Sequence, residues 1–166
     1  MNWQTLFLSP EGRIGQKDYW IGVLILIVAW MLSHVLHVLA PVVWLLLIYP
    51  WVCVIAKRLH DFGKSGWLIL VPVGVGVVAV IMALVFGGFT AISAIYSAWS
   101  GGLEEPANWA VLIGAVGIML AFLGLAALVK LVFLLWVGLS AGDPAPNRYG
   151  PPPGAVAAPT PAAPAS

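Results

Sequence analysis

Long apolar runs separated by short polar segments set the frame of this chain. The runs cover about 19–39, 42–56, 67–89 and 109–139. A helix needs about 20 mostly apolar residues to cross the hydrocarbon core of a bilayer, so the pattern predicts four transmembrane helices. Tyr19 and Trp20 open the first run as interface anchors. That run starts well inside the chain and has no small-residue cleavage pattern before Pro41, so it reads as a retained anchor rather than a signal peptide. The second run is a little short and leans on its flanks. The last is too long to stand upright. At about 1.5 Å per residue it would measure roughly 46 Å against a core about 30 Å thick, so it must tilt, bend or enter the interface.

Finer periodicities refine this frame. Trp3, Leu6 and Phe7 share one helical face ahead of Pro10, which predicts a short interfacial N-terminal helix. Pro41 is expected to break the helix after His34 and His37, and Pro72 to kink the third span. Ala79, Ala83 and Gly87 recur every four residues as a smooth packing stripe, and Gly114, Gly117, Ala121 and Gly124 offer a second one. Ile92, Ile95, Tyr96 and Trp99 fall opposite Thr90, Ser93, Ser97 and Ser100, an amphipathic extension expected to lie on the outer surface. The GGLEEP turn follows, with Glu104 and Glu105. Segment 1–18 is expected to be a cytoplasmic interfacial segment and 19–140 a four-helix membrane domain. Residues 141–166 form a cytoplasmic Pro/Ala-rich tail, disordered from about 151 because it can bury too little surface to fold.

Composition removes the soluble alternative. Charged residues make up 8% of the chain and hydrophobic residues 62%, against roughly 25% charged in a soluble domain. A net charge of +1 and the lack of a large basic patch argue against nucleic-acid binding. Cys53 is the single cysteine, so an intrachain disulfide is excluded. Lys and Arg then orient the spans. With four crossings, Arg13, Lys17, Lys57, Arg58, Lys64 and Arg148 fall on one side and none on the other, which predicts that both termini are cytoplasmic.

Three polar segments carry the remaining signal: GRIGQKDYW (Gly12–Trp20), KRLHDFGKSGW (Lys57–Trp67) and NRYGPPP (Asn147–Pro153). The second holds five of the chain's sixteen Lys, Arg, Asp, Glu and His residues. In order and placement the three resemble a bacterial inner-membrane family known as domain of unknown function 805. That family has a Gly-Arg, basic, then aromatic-Trp entry to its first helix. A basic-Arg-Leu-His-Asp…basic-Ser-Gly-Trp loop and a closing Asn-Arg-aromatic-Gly-Pro-Asp-Pro complete the likeness. The chain departs from it at Gly15 and Gln16, where basic residues are common, at Pro152, which replaces an Asp, and in an insertion between Phe86 and Trp109. The resemblance implies a multi-helix protein of the inner membrane and brings no substrate, cofactor or catalytic residue.

On a continuing helix Lys57 and Arg58 are i,i+4 and i,i+3 neighbours of Asp61, which suits ion pairs at a cytoplasmic corner. Arg13, Lys17, Arg58, His60, Asp61, Lys64 and Arg148 are the candidates for a basic surface that meets anionic lipid headgroups or a partner protein. His60 and Asp61 are adjacent, so on a helix they point about 100° apart and make a poor catalytic dyad. His34 and His37 stand i,i+3 without a third ligand, a weak metal signal. Lys130 is the one charge inside an apolar run; counted from Trp109 it lies about 31 Å along and is expected to snorkel to the cytoplasmic interface. The expected fold is therefore an all-α integral membrane protein with four transmembrane helices and an interfacial N-terminal helix. The expected role is that of a non-enzymatic structural or accessory component, with no cofactor and no metal, that contacts membrane lipids, a further copy or a membrane-protein partner. An oligomeric small-solute transporter or channel is the alternative.

Overall fold

A computed structural model describes residues 3–101 and 106–155; the GGLEEP turn with Glu104 and Glu105, and the tail from 156, lie outside the described residues. Among the described residues six α-helices follow in order: α1 (Trp3–Leu8), α2 (Gln16–Ser33), α3 (Ala40–Asp61), α4 (Leu70–Met82), α5 (Gly88–Gly101) and α6 (Pro106–Leu139). A 3-10 turn (His34–Leu39) joins α2 to α3, another (Gly66–Ile69) leads into α4, and a π-helical turn (Ala83–Gly87) joins α4 to α5. Among the described residues there is no strand, only an isolated bridge between Asn147 and Gly150. Three helical stretches among them are long and apolar enough to cross a membrane: Gln16–Asp61, Gly66–Ser100 and Trp109–Leu139. Large apolar side chains stay exposed along all three, a surface far beyond what a water-soluble monomer tolerates. These are the features of a multi-pass membrane protein.

Contacts group the chain into two units, Met1–Leu68 with Val137–Ser166, and Ile69–Trp136. In the first unit α2 and α3 fold back on each other. The reversal occurs at His37, whose φ of 41° and ψ of −84° interrupt the helical path, and Pro41 then occupies the first turn of α3. Proline suits that position because a first-turn N–H has no helical partner. The packing face of α2 is Tyr19, Gly22, Val23 and Leu26, spaced for one side of a helix. Gly22 brings the two backbones close: a Cβ there would stand 3.3 Å from both methyls of Val54. The N-terminal α1 packs on α3. Leu6 is buried, Tyr49 Oη donates to Leu8 O at 3.0 Å, and Lys57 Nζ donates to Thr5 O.

The second unit is a hairpin of two long helices. Gly76, Ala79, Ala83, Gly87, Ala94 and Ala98 give α4 and α5 a narrow face, against which α6 sets Ala115, Met119, Phe122, Ala126 and Lys130. Met119 lies where a Cβ on Gly87 would have to go, and the Phe86 and Phe122 rings stack 6.0 Å apart. The first predicted stripe therefore packs, but the second does not. Gly114, Gly117 and Gly124 have nothing within 4 Å of a notional Cβ, because the helical period turns them away from the face that carries 115, 119, 122 and 126. Pro72 stands in the first turn of α4, directly after the 3-10 turn; Pro50 lies inside α3. Residues 90–100 continue the helix. Thr90, Ser93, Ser97 and Ser100 each return their hydroxyl to a carbonyl three or four residues back, which satisfies them without water.

Candidate functional site

The three polar segments converge at one end of the first unit, around Asp61. The helix carrying Asp61 stops in a Schellman turn: Lys64 N–H donates to Leu59 O at 2.9 Å and Gly63 N–H to His60 O at 3.1 Å. Gly63 takes φ 72°, a backbone state that glycine alone enters without cost. This stop leaves the Asp61 carboxylate facing inward between two arginines. Arg13 donates from Nε (3.1 Å) and Nη2 (3.0 Å) to Oδ1, and Arg58 donates from Nη1 to Oδ2. Arg58 is 1% exposed and Asp61 2%.

A buried cluster of two cations and one anion keeps one surplus positive charge, which a low-dielectric interior penalises. Carbonyl oxygens compensate it. Arg58 Nε donates to Val137 O at 3.2 Å and Nη2 to Ser140 O, while Gln16 Nε2 donates to Leu139 O at 3.2 Å. The last four carbonyls of a helix have no internal partner and form the negative end of its dipole. Arg58 therefore caps α6 with charge of the favourable sign. Arg13 takes the chain beyond it, donating to Asp143 O, Ala145 O (2.9 Å) and Gly150 O (3.3 Å), and also to Asp61 O (3.0 Å). Asp143 N–H closes back on Asp61 O at 2.8 Å. Among the described residues no buried side-chain nitrogen or oxygen lacks a partner.

The closing segment is fixed with equal economy. Asn147 Nδ2 donates to His60 O and to Asp143 Oδ2, both at 3.0 Å, and its Oδ1 accepts from Tyr149 N–H at 2.9 Å. The Tyr149 ring stacks on His60 with centroids 3.7 Å apart and planes 8° from parallel. His60 in turn contacts Gly12 O through Nδ1 at 3.3 Å. Residues 151–155, placed by the sequence reading in the disordered tail, hold a turn in which Ala155 N–H donates to Pro152 O at 3.1 Å.

Several expected placements change here. Arg58 is not part of an exposed basic surface, and the Arg13 side chain is likewise enclosed at 1% exposure. Lys57 does not pair with Asp61; it points to α1. His60 and Asp61 diverge, one to Tyr149 and the other to the arginines. Lys17, Lys64 and Arg148 remain exposed, with Arg148 Nη2 3.4 Å from Gly63 O and its guanidinium 4.7 Å from the Tyr149 ring centre. His34 packs edge-on against Trp30 and His37 sits at the α2–α3 reversal, both exposed. Lys130 is exposed within α6, in the other unit. Gly142, Asp143 and Asn147 were not singled out from the sequence, and Gln16 stood out only as a departure from the family's basic residues. Asn147 stood inside a recognised motif, but the carbonyl acceptors that make Arg13 and Arg58 compatible with burial leave no mark on side-chain identity.

A family model described as a protein of unknown function, DUF805, matches residues 7–151. No curated protein and no solved structure matches the chain.

Proposed function

The chain belongs to the DUF805 family of proteins of unknown function, and on that footing we propose that it is a non-enzymatic inner-membrane protein of four transmembrane helices whose exposed Lys17, Lys64 and Arg148 contact anionic lipid headgroups. Two crossings come from Gln16–Asp61, which reverses at His37, and one each from the two later stretches. An even number of crossings puts both termini on one side. Six of the seven Lys and Arg residues belong to that side, so the positive-inside rule makes it the cytoplasm.

The observation that carries the lipid reading is how the cations divide. Arg13, Lys57 and Arg58 are consumed by internal hydrogen bonds, whereas Lys17, Lys64 and Arg148 are exposed at the same end. Near an anionic leaflet each exposed Lys or Arg adds about 1 kcal/mol, so three give about 3 kcal/mol. The test is native mass spectrometry of detergent-purified protein, counting bound phosphatidylglycerol and phosphatidylethanolamine. The variant Lys17→Gln/Lys64→Gln/Arg148→Gln should keep its melting temperature and lose most of its phosphatidylglycerol. Equal retention in wild type and variant would sink the reading.

A further inference from the structure

Lys130 is the one Lys or Arg between Lys64 and Arg148, and it stands within the apolar stretch Trp109–Leu139. It precedes Val137 on the same helix by seven residues, about 10 Å of rise. Its stem crosses α4 at Gly76, where a Cβ would stand 3.2 Å from Lys130 Cε and 3.3 Å from Nζ. The absent side chain at 76 is what gives the ammonium its seat. Among the described residues Lys130 forms neither a hydrogen bond nor an ion pair.

A charge at this position is costly without a counter-charge, and among the described residues Lys130 is paired with none. The chain's six acidic residues are Glu11, Asp18, Asp61, Glu104, Glu105 and Asp143, so none lies within 19–60, 62–103 or 106–142. A second copy carries the same six at the same ends of its apolar runs. The remaining source of negative charge in a bilayer is the lipid. Next to Lys130, α6 presents an apolar groove lined by Leu128, Val129, Val132, Phe133 and Trp136. Phe133 is the i+3 neighbour of Lys130, so the edge of the groove and the lysine stem adjoin on the helix surface.

We propose that this notch forms a binding site for one anionic phospholipid, its phosphate paired with the Lys130 ammonium and its acyl chains leaving along the apolar surface of α6. The inference rests on the chain crossing the membrane, and not on the exposed Lys17, Lys64 and Arg148.

Native mass spectrometry with titrated phosphatidylglycerol separates the two sites. The Lys17→Gln/Lys64→Gln/Arg148→Gln variant should still hold one tightly bound phosphatidylglycerol. Adding Lys130→Leu should weaken that lipid about tenfold or more, the scale of losing one partly desolvated charge pair, and Lys130→Arg should preserve it. Gly76→Leu, which keeps the charge but fills its seat, should weaken it as well and covers the case in which Lys130→Leu inserts poorly. Phosphatidylcholine should not replace the lipid, and soluble glycerol 3-phosphate should not displace it. Unchanged affinity in both Lys130→Leu and Gly76→Leu would overturn the proposal, as would displacement by glycerol 3-phosphate, which would make the site one for free phosphate. Loss of all lipid from the triple variant with Lys130 intact would overturn it too, while leaving the exposed cations as the lipid contact.

Discussion

Asp61 is the residue on which the polar end depends. Its two carboxylate oxygens are divided between Arg13 and Arg58, and its own carbonyl accepts from Asp143. Gly142 passes so close that a Cβ there would overlap the carboxylate. Asp61→Asn keeps the shape but leaves two buried guanidinium groups without their anion. Breaking one partner from a buried ion pair costs about 3–5 kcal/mol, so a large fall in detergent melting temperature is expected for Asp61→Asn and none for the exposed Glu11→Gln. Equal melting of the two variants would show that the carbonyl oxygens alone hold the arginines. At this scale the sequence was half legible. The i,i+3 spacing of Arg58 and Asp61 announced their ion pair. The depth of Arg58 was hidden, because its burial follows from the orphan carbonyls at the end of α6, seventy-nine residues away.

At the level of elements, apolar run length located the helices well and glycine spacing located their contacts only in part. Ala79, Ala83 and Gly87 pack as their four-residue period suggests. The period of Gly114, Gly117, Ala121 and Gly124 is equally regular, yet these residues face outward, since which side of a helix meets its neighbour is decided by pairing and not by periodicity. The close approach at Gly87 yields a test. Gly87→Ile forces a side chain into the space of Met119 and should cost about 1–3 kcal/mol by overpacking. Gly114→Ile meets open space and should leave unfolding in detergent unchanged. If both behave alike, the π-helical turn and α6 do not meet at Gly87.

Across the whole molecule, charge is arranged in one sense. The apolar stretches carry a single Lys or Arg deep within them, Lys130, and the polar segments hold the other six. Four predicted crossings would return segments far apart in the chain to one side, which is why they were expected to form one surface. What threading could not reveal was that most of this surface is closed on itself, leaving three cations outside. The side on which those three stand is the central claim, and cysteine labelling in intact spheroplasts measures it directly. In a Cys53→Ser background, Lys17→Cys, Lys64→Cys and Arg148→Cys should resist a membrane-impermeant maleimide until the membrane is opened. Val38→Cys, at the α2–α3 reversal, should react at once. Labelling of any of the first three in intact spheroplasts, or protection of Val38→Cys, would contradict the account.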